Sequence, residues 1–171
     1  KNVHVKNFAL GNKNENKFFY MPYYKSKFVH YFSSFDRAYI VRSLKMTFPK
    51  IHRKFFLKKK LIKCRTFDSL ILNVKPHFVK IDTEGFDEFV LTGLKKTIKK
   101  FRPIFLIEYN KEYFSSVLKI LDTYIPFVYN IHINKMIKLN KKILQSNVAR
   151  TSKKNSLSIR NVYFVPKEYK F

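Results

Sequence analysis

Apolar positions along the chain change period several times, and each change marks an element. Val3, Val5, Phe8, Ala9 and Leu10 predict a strand over residues 3 to 10, closed by Gly11-Asn12. Lys17 to Met21 predicts a second strand ended by Pro22, and the polar turn Asn12 to Asn16 would join the two as a hairpin-like pair. From 23 to 57 the periodicity fades into Tyr, Phe and Ser. That stretch reads either as a substrate-facing loop or as an irregular packed connection. Leu61 to Arg65 predicts a strand, and the lysines crowding residues 58–65 mark it as a solvated sheet edge, where charge discourages unwanted pairing. Thr66-Phe67-Asp68 opens a short helix that Thr66 or Asp68 is able to cap, and Pro76 ends it.

The best-defined pattern follows. Phe78 to Ile81 is of strand-forming type and runs into the acidic turn Asp82-Thr83-Glu84-Gly85. Phe86, Phe89, Val90, Leu94, Ile98 and Phe101 then recur at helical spacing on one face. Acids fill the first turn of that helix and lysines its last turns, which suits the helix dipole. Gly93 lies on the buried face, where a missing side chain permits close approach at a propensity cost of about 1 kcal/mol. Pro103 opens a further strand ending at Glu108. Beyond it the pattern predicts a helix through Phe114, Val117, Leu118 and Leu121, and a strand over Phe127 to Ile131. Asn134-Lys135 would turn that strand back into Met136 to Leu139, a polar mobile loop would cover 140–158, and Val162 to Val165 would be a closing strand. This order predicts one α/β domain over 1–171 with a mostly parallel, mixed sheet and late antiparallel strands.

Composition changes this picture little. The formal charge of +25 would suit a polyanionic partner, but the excess is mostly lysine and accompanies many Asn, Ile, Phe and Tyr, residues that share AT-rich codons. It is read as codon bias, with nucleic acid not the expected partner. A non-catalytic basic module binding polyanions is the rival reading. One cysteine, Cys64, excludes an internal disulfide and fits a reducing, cytoplasmic setting, and as a small apolar residue it needs no further role. No run reaches the ~18 apolar residues of a transmembrane span. The five histidines, His4, His30, His52, His77 and His132, show no paired ligand spacing. Tyr23, Tyr24 and Tyr31 read either as an acceptor wall or as ordinary packing.

The strand, helix, strand unit from Phe78 to Glu108 concentrates the chemistry. Ligands of open parallel sheets meet the carboxyl ends of strands, here Asp82 and Glu108. If those strands are neighbours, about 4.8 Å apart, the two carboxylates share one crevice and become a general base or cation ligands. Lys80 points to the same side as Asp82 and would neutralise the pair. The alternative is structural: Asp82 caps the helix, Glu84 answers its dipole and Lys80 reaches solvent.

Lys80-Ile81-Asp82-Thr83-Glu84-Gly85, then Val90-Leu91-x-Gly93, then Arg102-Pro103 with a strand ending in Glu108, together resemble the FkbM-type family of S-adenosylmethionine-dependent methyltransferases. Ala9-Leu10-Gly11, Thr66-Phe67-Asp68 and the strand from Asn161 to Pro166 resemble further segments of that family in the same order. The resemblance implies a Rossmann-like methyltransferase sheet and O-methyl transfer to a sugar or other small hydroxyl acceptor, a glycan precursor among them. It implies Ala9 and Leu10 near the adenine of S-adenosylmethionine, and Asp82, Glu84, Glu108 and Lys80 at the methyl group and acceptor. Whether a divalent metal takes part is open: the two carboxylates and the Asn110 amide are hard-cation ligands, fewer than such a site needs, so a metal is not the expectation. The family's glycine-rich first strand and the acid-tipped second strand have no counterpart here, where the only glycines are Gly11, Gly85 and Gly93. The expectation is therefore a partial domain lacking the first two strands, either a truncated piece of a longer enzyme or a degenerate relative, and inactive as this chain alone.

Overall fold

The computed structural model describes residues 3–70, 74–131, 133–140 and 159–169. The chain is mixed α/β, with two mixed sheets, and divides into two compact units, one of the described residues of 1–72 and 83–97, the other of those of 73–82 and 98–171. The mobile loop expected over 140–158 and His132 fall, but for residue 140, outside the described residues.

In the first unit β1 (Ala9–Leu10), β2 (Glu15–Tyr24) and β3 (Lys27–Phe28) lead to helix α1 (Arg37–Thr47), and β4 (Phe56–Arg65) completes a sheet of order β1-β4-β2-β3. Only the end of the predicted first strand is formed. It pairs not with β2 but in parallel with β4, at Ala9↔Cys64 and Leu10↔Arg65. Pro22 does not end β2. Its carbonyl accepts Val29 N at 2.9 Å, and the ladder to β4 continues past it to Tyr23↔Phe56. The 58–65 segment is likewise not at the sheet edge by order, since β4 lies between β1 and β2. Only Cys64 and Arg65 have a partner on the β1 side, however, so the lysines lie in a stretch that is unpaired on that side.

The segment read as irregular thus holds a helix. Asp36 caps α1, its Oδ1 accepting Ala38 N at 2.8 Å and Tyr39 N at 3.1 Å, while Ile40 and Leu44, one turn apart, are buried. The long helix expected after Gly85 is two helices, α2 (Asp87–Thr92) and α3 (Lys95–Phe101). The break has two causes. Gly93 closes α2, and Asp68 accepts Lys96 N at 2.7 Å and Thr97 N at 3.0 Å, so it caps α3 rather than the short 3-10 turn Phe67–Ser69 in which it sits. Thr66, at the start of that turn, makes no side-chain cap bond. A Cβ on Gly93 would lie 2.0 Å from the Gly11 carbonyl oxygen, so the predicted close approach is made, against the end of β1.

The second unit carries β5 (Phe78–Ile81), β6 (Ile104–Glu108), α4 (Phe114–Ile120), β7 (Tyr124–Asn130), β8 (Lys135–Lys138) and β9 (Asn161–Pro166), in sheet order β5-β6-β9-β7-β8. β5 and β6 run parallel, whereas β9 is antiparallel to both β6 and β7. The strand expected to close the fold therefore lies inside the sheet. Accordingly Val162, Phe164 and Val165 are buried. The β7–β8 hairpin forms as predicted, with Asn134 at φ 52° in its turn. Among the described residues only one pairing in each sheet is parallel, β1 with β4 and β5 with β6, so the mostly parallel arrangement is not found ladder by ladder there. Late strands return as antiparallel neighbours, because a strand inserted between parallel ones can do so with opposite direction.

Candidate functional site

In the second unit the parallel register Ile81↔Ile107 brings the ends of β5 and β6 level. Asp82 follows Ile81 and Glu108 follows Ile107, so their carboxylates come within 4.8 Å of one another. Lys80 Nζ donates to Asp82 Oδ2 at 2.6 Å, with the two side chains 54% and 47% exposed. The Asp82 bond and charge, with a contribution from Glu108, raise the Lys80 pKa above its ordinary 10.5. Its ammonium is thus fixed at the pair. Exposure keeps the ion pair weak as a stabilising contact. Asp82 and Glu108 each offer a hard oxygen of the kind that divalent cations take, but such ions need more ligands than these two. The Asn110 side-chain oxygen, a further candidate, accepts Glu112 N at 2.9 Å at the turn into α4.

Glu84 belongs to the first unit and is held differently. Its φ is 49° and that of Gly85 is 86°, a left-handed pair that L side chains adopt with strain. Two residues of the 23–57 stretch hold it there. Ser34, fully buried, donates from Oγ to the Glu84 carbonyl at 2.8 Å, and the Tyr39 hydroxyl donates to Glu84 Oε2 at 3.1 Å. Gly85 is required: a Cβ there would meet the Tyr39 ring at 3.0 Å. Sequence reading missed Ser34 and Tyr39. Asp36 as a cap, followed by Ile40 and Leu44 at helical spacing, marks the helix that carries Tyr39, but nothing local marks its reach to Glu84.

The alternative in which Asp82 caps the helix is not found. The turn is tied by buried Asp87, whose Oδ1 accepts Thr83 Oγ1 at 3.0 Å and Thr83 N at 3.3 Å. Ala9 and Leu10 lie half-buried at the carboxyl end of the parallel pair β1 and β4, and Gly11 continues it by donating its N–H to the Arg65 carbonyl at 2.9 Å. Each glycine is packed: Gly11 against Phe86, Gly85 against Tyr39 and Gly93 against Gly11. Tyr23 stacks between Phe28 and Phe56, and Tyr24 stacks on Phe55, which accounts for both as packing. Tyr31 is exposed.

Comparison with known sequences assigns the chain. The sequence model of the methyltransferase FkbM domain matches residues 1–156. The chain belongs to the FkbM methyltransferase domain family. No curated relative matches it. A solved structure, methyltransferase FkbM from Methylobacillus flagellatus KT, aligns at 20% identity and a TM-score of 0.37, over 61% of this chain and 23% of its own length. The chain thus spans about a quarter of that solved relative. No helix among the described residues is long and apolar enough to cross a membrane.

Proposed function

We propose that the protein is an S-adenosylmethionine-dependent O-methyltransferase with a Rossmann-like sheet, transferring methyl to a hydroxyl of a sugar or similar small acceptor. The observation that carries this reading is the Lys80–Asp82–Glu108 group at the level ends of β5 and β6, in a chain of the FkbM family. The described residues fit such a donor in part. Ala9 and Leu10, half-buried at the end of β1, suit its adenine, whereas every glycine is packed against a neighbour and none forms an open turn for the donor's amino-acid end. When bound, the donor supplies an electrophilic methyl group.

The chain's own contribution is to orient and deprotonate the acceptor. Asp82 accepts the hydroxyl proton at its carboxylate, and Lys80, bonded to Oδ2, fixes the carboxylate plane and offsets the negative charge of the group. Glu108 holds a neighbouring acceptor hydroxyl, and Glu84 is kept in position by Tyr39 and Ser34. Steady-state kinetics of the full-length gene product test this. Asp82→Asn lowers kcat by about 100-fold or more, the usual contribution of a general base, with KM for the donor unchanged. Glu108→Gln raises KM for the acceptor more than it lowers kcat. Full activity in Asp82→Asn removes Asp82 from the chemistry.

A further inference from the structure

The β2–β3 hairpin of the first unit carries a row of aromatic rings that methyl transfer does not use. Lys25 and Ser26, at φ 46° and 61°, form the tight turn between the strands, and Tyr23 pairs with Phe28 behind it. On the other side of β2 the register sets Phe56 of β4 opposite Tyr23. Cross-strand partners share a face of the sheet, so the three rings stack in a row, with centroids 5.3 and 5.4 Å apart. The 3-10 turn His30–Phe32 lengthens the row: the His30 ring lies 6.2 Å from Phe28, and Tyr31 lies 3.9 Å from His30. Phe28 and Phe56 are each 46% exposed and Tyr31 is 69% exposed. Contiguous apolar surface of this kind, rimmed by polar groups, marks an interaction site.

The rim is cationic. Lys25 and Lys27 line a concavity of about 500 Å³ with Phe28, His30 and Tyr31, and no carboxylate is among its lining residues. The Lys58 ammonium lies 4.7 Å from the centroid of the Tyr23 ring. Three kinds of partner take exposed sheet surface, and the geometry separates them. An added protein strand needs an open edge, but β3, the edge strand here, is two residues long and one of them is lysine. Bases of a single-stranded nucleic acid stack on open ring faces, whereas Tyr23 turns its faces to Phe28 and Phe56, at interplanar angles of 30° and 18°. Rings stacked on one another present their edges outward, as an apolar ridge with cations beside it. That ridge matches the interface of an anionic bilayer, where aromatic rings sit at the level of the headgroups and lysines meet the lipid charge.

We propose that the β2–β3 hairpin face docks on a bilayer surface carrying anionic lipid, with Phe28 and Tyr31 at the headgroup level and Lys25 and Lys27 on the lipid charge. The inference does not rest on the methyl-transfer reading. Cosedimentation of the protein with lipid vesicles at physiological ionic strength tests it. Mixed phosphatidylcholine and phosphatidylserine vesicles should carry the protein down, and pure phosphatidylcholine vesicles should not. Phe28→Ser/Tyr31→Ser should weaken the binding by about tenfold or more, through the loss of two buried rings. Lys25→Gln/Lys27→Gln should weaken it by about tenfold or more as well, through the loss of two charges at the surface. Lys95→Gln/Lys99→Gln, which removes the same charge from α3, should leave it unchanged. Equal weakening by the two lysine pairs would reduce the effect to the protein's general positive field and overturn the proposal. So would absence of binding to the mixed vesicles, or a ring variant that binds as the parent does. Displacement from the vesicles by single-stranded poly(U), with the ring variant weakened equally toward both, would make the face a nucleic-acid site and also overturn it. The chain has no tryptophan, so Phe28→Trp supplies a reporter that does not depend on how the double variants fold. Its emission should move to shorter wavelength on the mixed vesicles and be quenched by bromine on their acyl chains, and unshifted emission would overturn the proposal.

Discussion

At the scale of single residues, the chain's few glycines are fixed by what they touch. Gly93 has an ordinary helical φ of −77°, so backbone freedom is not what it supplies. It supplies room, because a Cβ would stand 2.0 Å from a backbone oxygen that cannot swing away. Gly93→Ala gains little helix propensity, because Gly93 caps α2 rather than lying inside it, whereas overpacking of this kind costs about 1–3 kcal/mol. With backbone as the obstacle the loss should dominate. A urea midpoint lowered relative to the parent is the expected result, and an unchanged or raised midpoint would show that β1 yields. The pattern of apolar positions made this glycine legible, whereas Ser34 and Tyr39 were not. Nothing local announces that a serine and a tyrosine about fifty positions upstream hold Glu84 in a left-handed conformation.

Between elements, remote polar contacts set boundaries that periodicity alone misplaces. The apolar face from Phe86 to Phe101 is continuous, so the sequence reads as one helix. Asp68, 28 positions before Lys96, starts a new one by capping it. Strand partners were equally hidden: the ends of β5 and β6 were placed correctly because a helix connects them, but β1 and β9 found neighbours far along the chain. Arg102 shows the same principle. It follows α3 at φ 51°, donates to both Glu168 oxygens at 2.7 and 2.8 Å, reaches Thr123 before β7 and lies over the Tyr124 ring. The Arg102 bond holds the Glu168 carboxyl at about 2, below its ordinary 4.5. A depressed carboxyl stabilises the fold fully above its unfolded value and loses that contribution as pH falls through the folded one. The stability difference between the parent and Glu168→Gln should therefore be constant above about 4.5 and close as pH approaches about 2. A difference that persists unchanged in acid would detach Glu168 from this role.

For the molecule as a whole, charge and chemistry are organised separately. A formal charge of +25 spreads over both units, and its lysines include those within β4 as well as the one that fixes Asp82. The mixed α/β class, the approach of Lys80, Asp82 and Glu108 to one another and the family were legible because a contiguous strand, helix, strand stretch carries them, whereas the mostly parallel order was not borne out. The division into two sheets was not legible, since it depends on pairings between distant segments. In the proposed reaction the protein moves a methyl group to an acceptor oxygen. Carbon NMR of the full-length gene product turning over methyl-13C S-adenosylmethionine with a panel of sugars tests it most directly. A new methoxy resonance is expected with the parent and none with Asp82→Asn. Label found only on nitrogen, carbon or sulfur, or a methoxy signal undiminished in Asp82→Asn, would contradict it.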